Sequence, residues 1–596
     1  MKLRHALPLF FLVALAACSR SEEPKEVAQS PEALAGEVDQ IVEEYWEKLL
    51  VLNPLFATFN GDYRYNDRLE NNLGPEYIAQ SNALEKEYLG KIQAIDASRL
   101  EGQARLTREI FELDRRLAIE GQQFPQELLP LNQSFSLPAF LPRVPNGIHP
   151  METAKDYDDW LERVADFEKW ADQAIANMRI GVEKGVVQPR VVIEKVLPQL
   201  AAMITNDPKK SMFYAPVTRF PESIPAADRE RLTKAYEASV RDQLVPAYQR
   251  LHDFVRDEYL PKTRSSVSLG ALPNGEAWYA YLVKLQTTTP RTPEQIHQTG
   301  LDEVARIQDE MRKVMQQVGY KGDLQSFFAW LRKEPRFYYG KPEEILDGYR
   351  ALKSEVKAEL PKLFAVAPKA DFEIQPVEEF RARSAATASY QGATPDGKRP
   401  GIFYVNTYDL KSRPSYTMES IYLHEAEPGH HFQISIQQEL EKLPRFRRFG
   451  GYTAYSEGWG LYAESLGREL GVYEDPYNYF GALSAEIHRA VRLVTDTGLH
   501  AKGWTREQAI EYMTHNSAVG PSDVVSEIER YIANPGQALA YKTGELKLKE
   551  LRARAAAQLG EKFDVREFHT QVLTDGQLPL DVLESKIDRW IEEQKK

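Results

Sequence analysis

From Ser30 onward, apolar residues recur at helical spacing. Ser30-Pro31-Glu32 reads as a cap with proline at the first helical position, and Leu34, Val38, Ile41, Val42, Tyr45 and Leu49 then line one face until Pro54. The same periodicity predicts helices around 76–120, 151–186, 226–260, 292–318 and 343–365. It returns at the C-terminus, where Leu583, Ile587, Trp590 and Ile591 share a face. Between these, residues 121–150 carry Pro125, Pro130, Pro138, Pro142, Pro145 and Pro150 among Phe124, Phe135 and Phe140. Proline at that density excludes regular structure and predicts a long crossing segment along a cleft wall. Strand signal is confined to Ile402-Phe403-Tyr404-Val405-Asn406-Thr407, after the turn-prone DGKRPG. No internal repeat of roughly 20–50 residues is present, which argues against a solenoid. The pattern predicts a mainly α protein with a helical N-terminal half, 31–270, and a second half, 271–596, that carries the chemistry.

The first residues belong to a different class. Lys2 and Arg4 precede an apolar run from Leu7 to Ala17, too short to span a bilayer comfortably and ending in small residues, as an export signal does. Leu15-Ala16-Ala17-Cys18 resembles the bacterial lipobox. That predicts a signal peptide over 1–17, lipidation at Cys18 and a polar tether over 18–30. Ser19 in place of an aspartate favours the outer membrane, facing the periplasm. Cys18 is the one cysteine of 596 residues, so a disulfide framework, a four-cysteine zinc site and a paired-cysteine redox motif are excluded together. The 88 acidic residues exceed the 75 basic ones, for a net charge of −13. An acidic chain of this kind is not expected to bind nucleic acid.

Three of the eleven histidines fall in one short run, Tyr422-Leu423-His424-Glu425-Ala426-Glu427-Pro428-Gly429-His430-His431-Phe432. In the H-E-x-x-H zinc helix two histidines at i and i+4 share a face, and the intervening glutamate is the base for the metal-bound water. Here Pro428 stands at i+4. On an unbroken helix i+6 lies about 120° round from i, and i+7 lies about 10 Å along the axis. Pro428 lacks the N–H that would bond to the His424 carbonyl, however, and Gly429 follows with a permissive backbone. A widened turn is therefore expected to return a later histidine to the face of His424. His430 is the first choice and His431 the alternative. A third ligand is sought downstream in Tyr455-Ser456-Glu457-Gly458-Trp459-Gly460-Leu461-Tyr462-Ala463-Glu464, where Glu457 and Glu464 share a helical face. Glycines around Glu457 allow a close backbone approach and favour it as ligand; Glu464 suits orienting a ligand histidine.

Five runs, LPNGEAWYAYLVKLQTTT (272–289), RPGIFYVNTYDLKSRPSY (399–416), YLHEAEPGHHFQ (422–433), YSEGWGLYAE (455–464) and RYIANPGQALAYKTGELKLKELR (530–552), resemble the bacterial domain-of-unknown-function family numbered 885, whose members are often exported lipoproteins. That family is similar in turn to zinc peptidases whose third ligand is glutamate, the nearest analogy being the helical cleft enzymes such as angiotensin-converting enzyme and the oligopeptidases. The resemblance implies a large helical cleft fold of two halves, with a small antiparallel sheet beside the zinc helix. It implies Zn2+ held by His424, His430 and Glu457, with Glu425 as base. A tyrosine hydroxyl would stabilise the oxyanion, Tyr541 first and Tyr531 second. The strand at 402–407 would bind substrate as an edge strand, with Asn406 and Arg413 as substrate contacts.

The expected function is a zinc metallopeptidase acting on peptides in the cell envelope. The alternative is a non-catalytic peptide- or metal-binding lipoprotein on the same scaffold. A glycosidase using Glu457 and Glu464 as its acid and base would leave the histidines unexplained. Serine hydrolase chemistry lacks its G-x-S-x-G.

Overall fold

The computed structural model describes residues 30–382, 385–393 and 400–596. The signal peptide, Cys18 and the tether up to residue 29 lie outside them. The protein is mainly α. Its first helix, Pro31–Leu52, is capped by the Ser30 hydroxyl, which accepts from the Ala33 N–H at 3.2 Å, and it buries Leu34, Val38, Ile41, Val42 and Tyr45. Pro54 does not end that helix. The break falls at Asn53, and Pro54 opens the next short helix, Pro54–Phe59, because a proline ring is tolerated where no helical N–H is needed. The windows 76–120 and 151–186 each hold two helices: Pro75–Gln93 with Gly102–Gly121, and Ala154–Ala165 with Phe167–Lys184. Across 121–150 only single turns form, such as Gln126–Leu128 and Leu137–Phe140.

The core is shared among several clusters. The largest joins residues 34–57 and 84–111 to residues 345–591, so both ends of the chain pack together. A second gathers Trp160, Phe167, Trp170 and Tyr248 from the helices between 154 and 259. Inside it Arg163 is fully buried and ties the loop before it: Nε donates to the Arg68 carbonyl at 2.9 Å, and Nη2 to Thr58 Oγ1 at 2.8 Å and the Tyr65 carbonyl at 2.9 Å.

The sheet has three strands, β1 (Phe372–Pro376), β2 (Ala388–Gln391) and β3 (Gly401–Val405), in the order β1-β3-β2. It is mixed, not antiparallel throughout: β1 runs parallel to β3, and β2 antiparallel. The strand expected at the edge, β3, is therefore central. Its near-continuous apolar run fits burial on both faces, and β2 is the edge beside the histidine helix. Asn406 N–H bonds to the Thr387 carbonyl, so the alternation of an antiparallel ladder turns Ser389 toward β3 and leaves Ala388 and Tyr390 on the outer edge.

Candidate metal centre

The histidine run forms two helices with a break between them. The first, Met418–Glu425, ends at Glu425, and the second begins at His430 and runs to Glu439. The break replaces the widened turn expected from Pro428, yet the effect on register is the anticipated one. The Phe432 N–H reaches the Ala426 carbonyl at 3.4 Å, six residues back where a helix would reach four. Two residues are thus looped out, and His430 takes the place that i+4 would hold. Gly429 is required there: a Cβ would stand 1.9 Å from the His424 carbonyl oxygen. The Trp459 indole N–H pins the loop by donating to the Pro428 carbonyl at 2.7 Å.

Glu457 and Glu464 lie on the helix Thr453–Ser465. Nε2 of His424 and Nε2 of His430 each stand 3.5 Å from Glu457 Oε2. One donor atom from each of the three residues fits within a 4.8 Å span. An ion with tetrahedral bonds of ~2.0–2.2 Å spaces its donors about 3.3–3.6 Å apart, and the two histidine–Glu457 separations match that spacing. The Nδ1 of His424 pairs with Glu464 Oε1 at 2.8 Å, and Ser420 Oγ donates to Glu464 Oε2 at 2.7 Å. Glu464 therefore fixes the ring so that Nε2 points at the centre. Helix and ring come this close because Gly460 has no side chain; a Cβ would sit 2.7 Å from the imidazole. Gly458 does the same for the helix Leu539–Leu559, whose Gly544 packs against it.

Burial disfavours a charged His424, but Glu457 and Glu464 outweigh it and push the imidazole up to about 10. Burial likewise disfavours the Glu457 carboxylate, and the two histidines hold it well below the usual range. A cation bound there would take the place of the proton that these carboxylates hold on the imidazole. It opens on one side: the Glu457 side chain is 23% exposed, against 7% for His424.

Glu425 is half-buried beside the three, and its Oε2 accepts from the Tyr390 backbone N–H at 2.9 Å. Tyr390 was not foreseen, since ASYQ carries little strand signal. His431 turns the other way into the core, with Nδ1 at 2.9 Å from the Tyr390 hydroxyl, and burial brings its ring down to about 4. Asn406 is buried and committed to its loop: Nδ2 donates to the Ala382 and Ala385 carbonyls, and Oδ1 accepts from the Tyr408 N–H. Arg413 donates to the Asn406 carbonyl and to Ser412. Both residues, expected to contact substrate, build the turn after β3 instead. Tyr531 is also in the core, its hydroxyl donating to Glu527 Oε2 at 2.5 Å. Tyr541 is half-buried, with the Arg492 guanidinium 4.6 Å over its ring. Glu464 is locked to His424 and Ser420, which removes the glycosidase pair.

A cavity of about 1020 Å³ ends at Gly450–Thr453, one helical turn before Glu457, and is lined by Phe124, Leu129, Pro130 and Phe135 of the proline-rich segment. That segment does form a wall, as its proline content led us to expect.

The model of a family described as bacterial protein of unknown function, DUF885, matches residues 54–587. The chain belongs to the DUF885 family. A crystal structure of a candidate lipoprotein from Colwellia psychrerythraea is similar to it, with 31% identity, a TM-score of 0.85, and coverage of 95% of this chain and 100% of that one. A candidate lipoprotein of unknown function from Shewanella oneidensis shares the fold at 16% identity and a TM-score of 0.74, covering 94% of this chain and 99% of that one. No curated protein matches the chain. Among the described residues of this DUF885 protein, no helix is long and apolar enough to cross a membrane.

Proposed function

We propose that this DUF885 protein is a zinc metallopeptidase of the bacterial cell envelope. The observation that carries the reading is the convergence of His424 Nε2, His430 Nε2 and Glu457 Oε2 on one point beside Glu425, with Glu464 orienting His424 from behind. Three protein ligands of this type leave a fourth position for substrate or water, as catalytic zinc sites do and structural ones do not. Zinc bound there would polarise a scissile carbonyl and make a water acidic enough to attack near neutral pH. Glu425, held by the Tyr390 N–H, takes the proton from the attacking water and returns it to the leaving amine. Tyr541 supplies a hydroxyl to the oxyanion. The outer edge of β2, at Ala388 beside Glu425, receives the substrate main chain by strand addition. Lipidation at Cys18 holds the enzyme on the outer membrane facing the periplasm. The lipobox-like run and the description of the Colwellia relative as a lipoprotein support the lipid anchor.

The test is Glu425→Gln. We expect peptide hydrolysis to fall by about 10³-fold or more, with one zinc still bound per chain by elemental analysis. Undiminished turnover would refute Glu425 as base. A wild-type protein that binds zinc and cuts nothing in a mixed peptide library would be the non-catalytic binder.

A further inference from the structure

The long helix Pro476–Ala501 is apolar along most of its C-terminal half, yet it carries His488, Arg489 and Arg492 into the protein. Arg492 is only 7% exposed. Its Nη2 donates to Glu527 Oε2 at 3.1 Å and to His488 Nε2 at 3.0 Å. Its Nε and Nη1, the Nε of Arg489 and the Nδ1 of His488 are buried and find no partner among the described residues. Glu527 is itself shared with Arg530, which donates to it at 3.0 Å, and with Tyr531. Two guanidiniums thus share one carboxylate, and Arg489 stands three residues before Arg492 on the same helix. Buried N–H donors are almost always satisfied, and charged ones above all. A cluster with surplus positive charge and several unused donors is therefore built for an anion that arrives from outside, and guanidinium forks match a carboxylate.

Its position says which anion. The Arg492 guanidinium covers the ring of Tyr541, and Tyr541 stands on the helix whose Gly544 packs against Gly458, the neighbour of Glu457. The cluster thus adjoins the metal centre on its Tyr541 side. Resting on the metallopeptidase reading, we propose that Arg492 and Arg489, with His488, form a subsite for a carboxylate of the substrate, namely the C-terminal carboxylate of a peptide cut near its end. An acidic side chain offers the same group, so the experiment separates the two.

The probe is a set of three peptides of one sequence: the free acid, its C-terminal amide, and an amide with a glutamate replacing the last residue but one. Binding is measured by calorimetry to zinc-loaded Glu425→Gln protein, and cleavage by wild type is mapped by mass spectrometry. We expect the free acid to bind about 10²-fold more tightly than either amide and to be cut near its C-terminus. In Arg492→Gln protein of normal zinc content that preference should shrink by at least tenfold, and Arg492→Lys should restore part of it. Tight binding of the glutamate amide alone would reassign the subsite to an acidic side chain and overturn the terminal assignment. Equal affinity for all three overturns the subsite and leaves the metallopeptidase reading standing. Tight, acid-selective binding with no cleavage by wild type supports the subsite and overturns that reading. The comparison of peptides on the wild-type binding surface does not depend on the arginine variants folding.

Discussion

Arg163 and Arg492 are both arginines withdrawn from solvent, and they are used in opposite ways. Around Arg163 every nitrogen ends on protein: Nε on Arg68, Nη2 on Thr58 and Tyr65, and Nη1 toward His149 Nδ1 at 3.5 Å. Among the described residues no carboxylate pairs with it, and burial brings its guanidinium down to about 10. Around Arg492 the balance is reversed. Burial opposes its charge, but neighbouring Tyr531, Glu527, Tyr541 and Glu457 raise it, while two nitrogens stay unused. The difference separates a cation that closes a fold from one that awaits a ligand. Burial alone does not distinguish them; the destination of each N–H does.

The largest effect should come from breaking the closed member of the pair. Arg163→Gln strands the Arg68 and Tyr65 carbonyls and the Thr58 hydroxyl, and we expect it to lower the unfolding free energy by about 3 kcal/mol or more with zinc affinity unchanged. Arg492→Gln should cost about 1 kcal/mol, because Glu527 keeps Arg530 and Tyr531. Denaturant titrations of the two variants side by side decide this, and equal costs would erase the contrast. An intermediate change is expected at the metal centre. Glu464→Gln keeps the shape but weakens the contact that orients His424, and should reduce zinc affinity by about 10–100-fold, measured against a competing chelator. The last effect vanishes at neutral pH. His149, against Arg163, is held near 4 by burial, with the Asp156 carbonyl opposing and Arg163 adding to the shift. The native fold binds neutral imidazole, so its contribution is complete above the unfolded value near 6.5 and is lost as pH falls toward about 4. Thermal unfolding of wild type should weaken across that window, and His149→Gln should flatten the slope.

Much of this was legible in the sequence where local chemistry dictates structure. The Ser30-Pro31 start, the C-terminal face of Leu583 and Ile587, and the core of β3 follow from capping and periodicity. The meeting of His424, His430 and Glu457 followed from one proline and its neighbouring glycines. What was not legible depends on long-range partners. β2 has almost no strand propensity of its own and exists because β3 supplies a ladder. Asn406 looked like a substrate contact because nothing in the sequence shows the Ala382 and Ala385 carbonyls that claim it. The cluster around Arg492 did leave a trace, His488-Arg489 and Arg492 set among Ala490, Val491, Leu493 and Val494. Basic residues in an otherwise apolar helix interior signal a buried polar purpose.

The loop at Pro428–Gly429 bears on how such proteins relate to one another. Because the Phe432 N–H closes on Ala426 across it, the pair behaves as a detachable insertion: removing it would leave both histidines on one continuous helix at the spacing of shorter motifs. Separation along the chain is then a poor measure of kinship for this centre. Lineages that differ by two residues here can hold an identical trio of donor atoms, and a pattern demanding fixed spacing would sort them into unrelated groups.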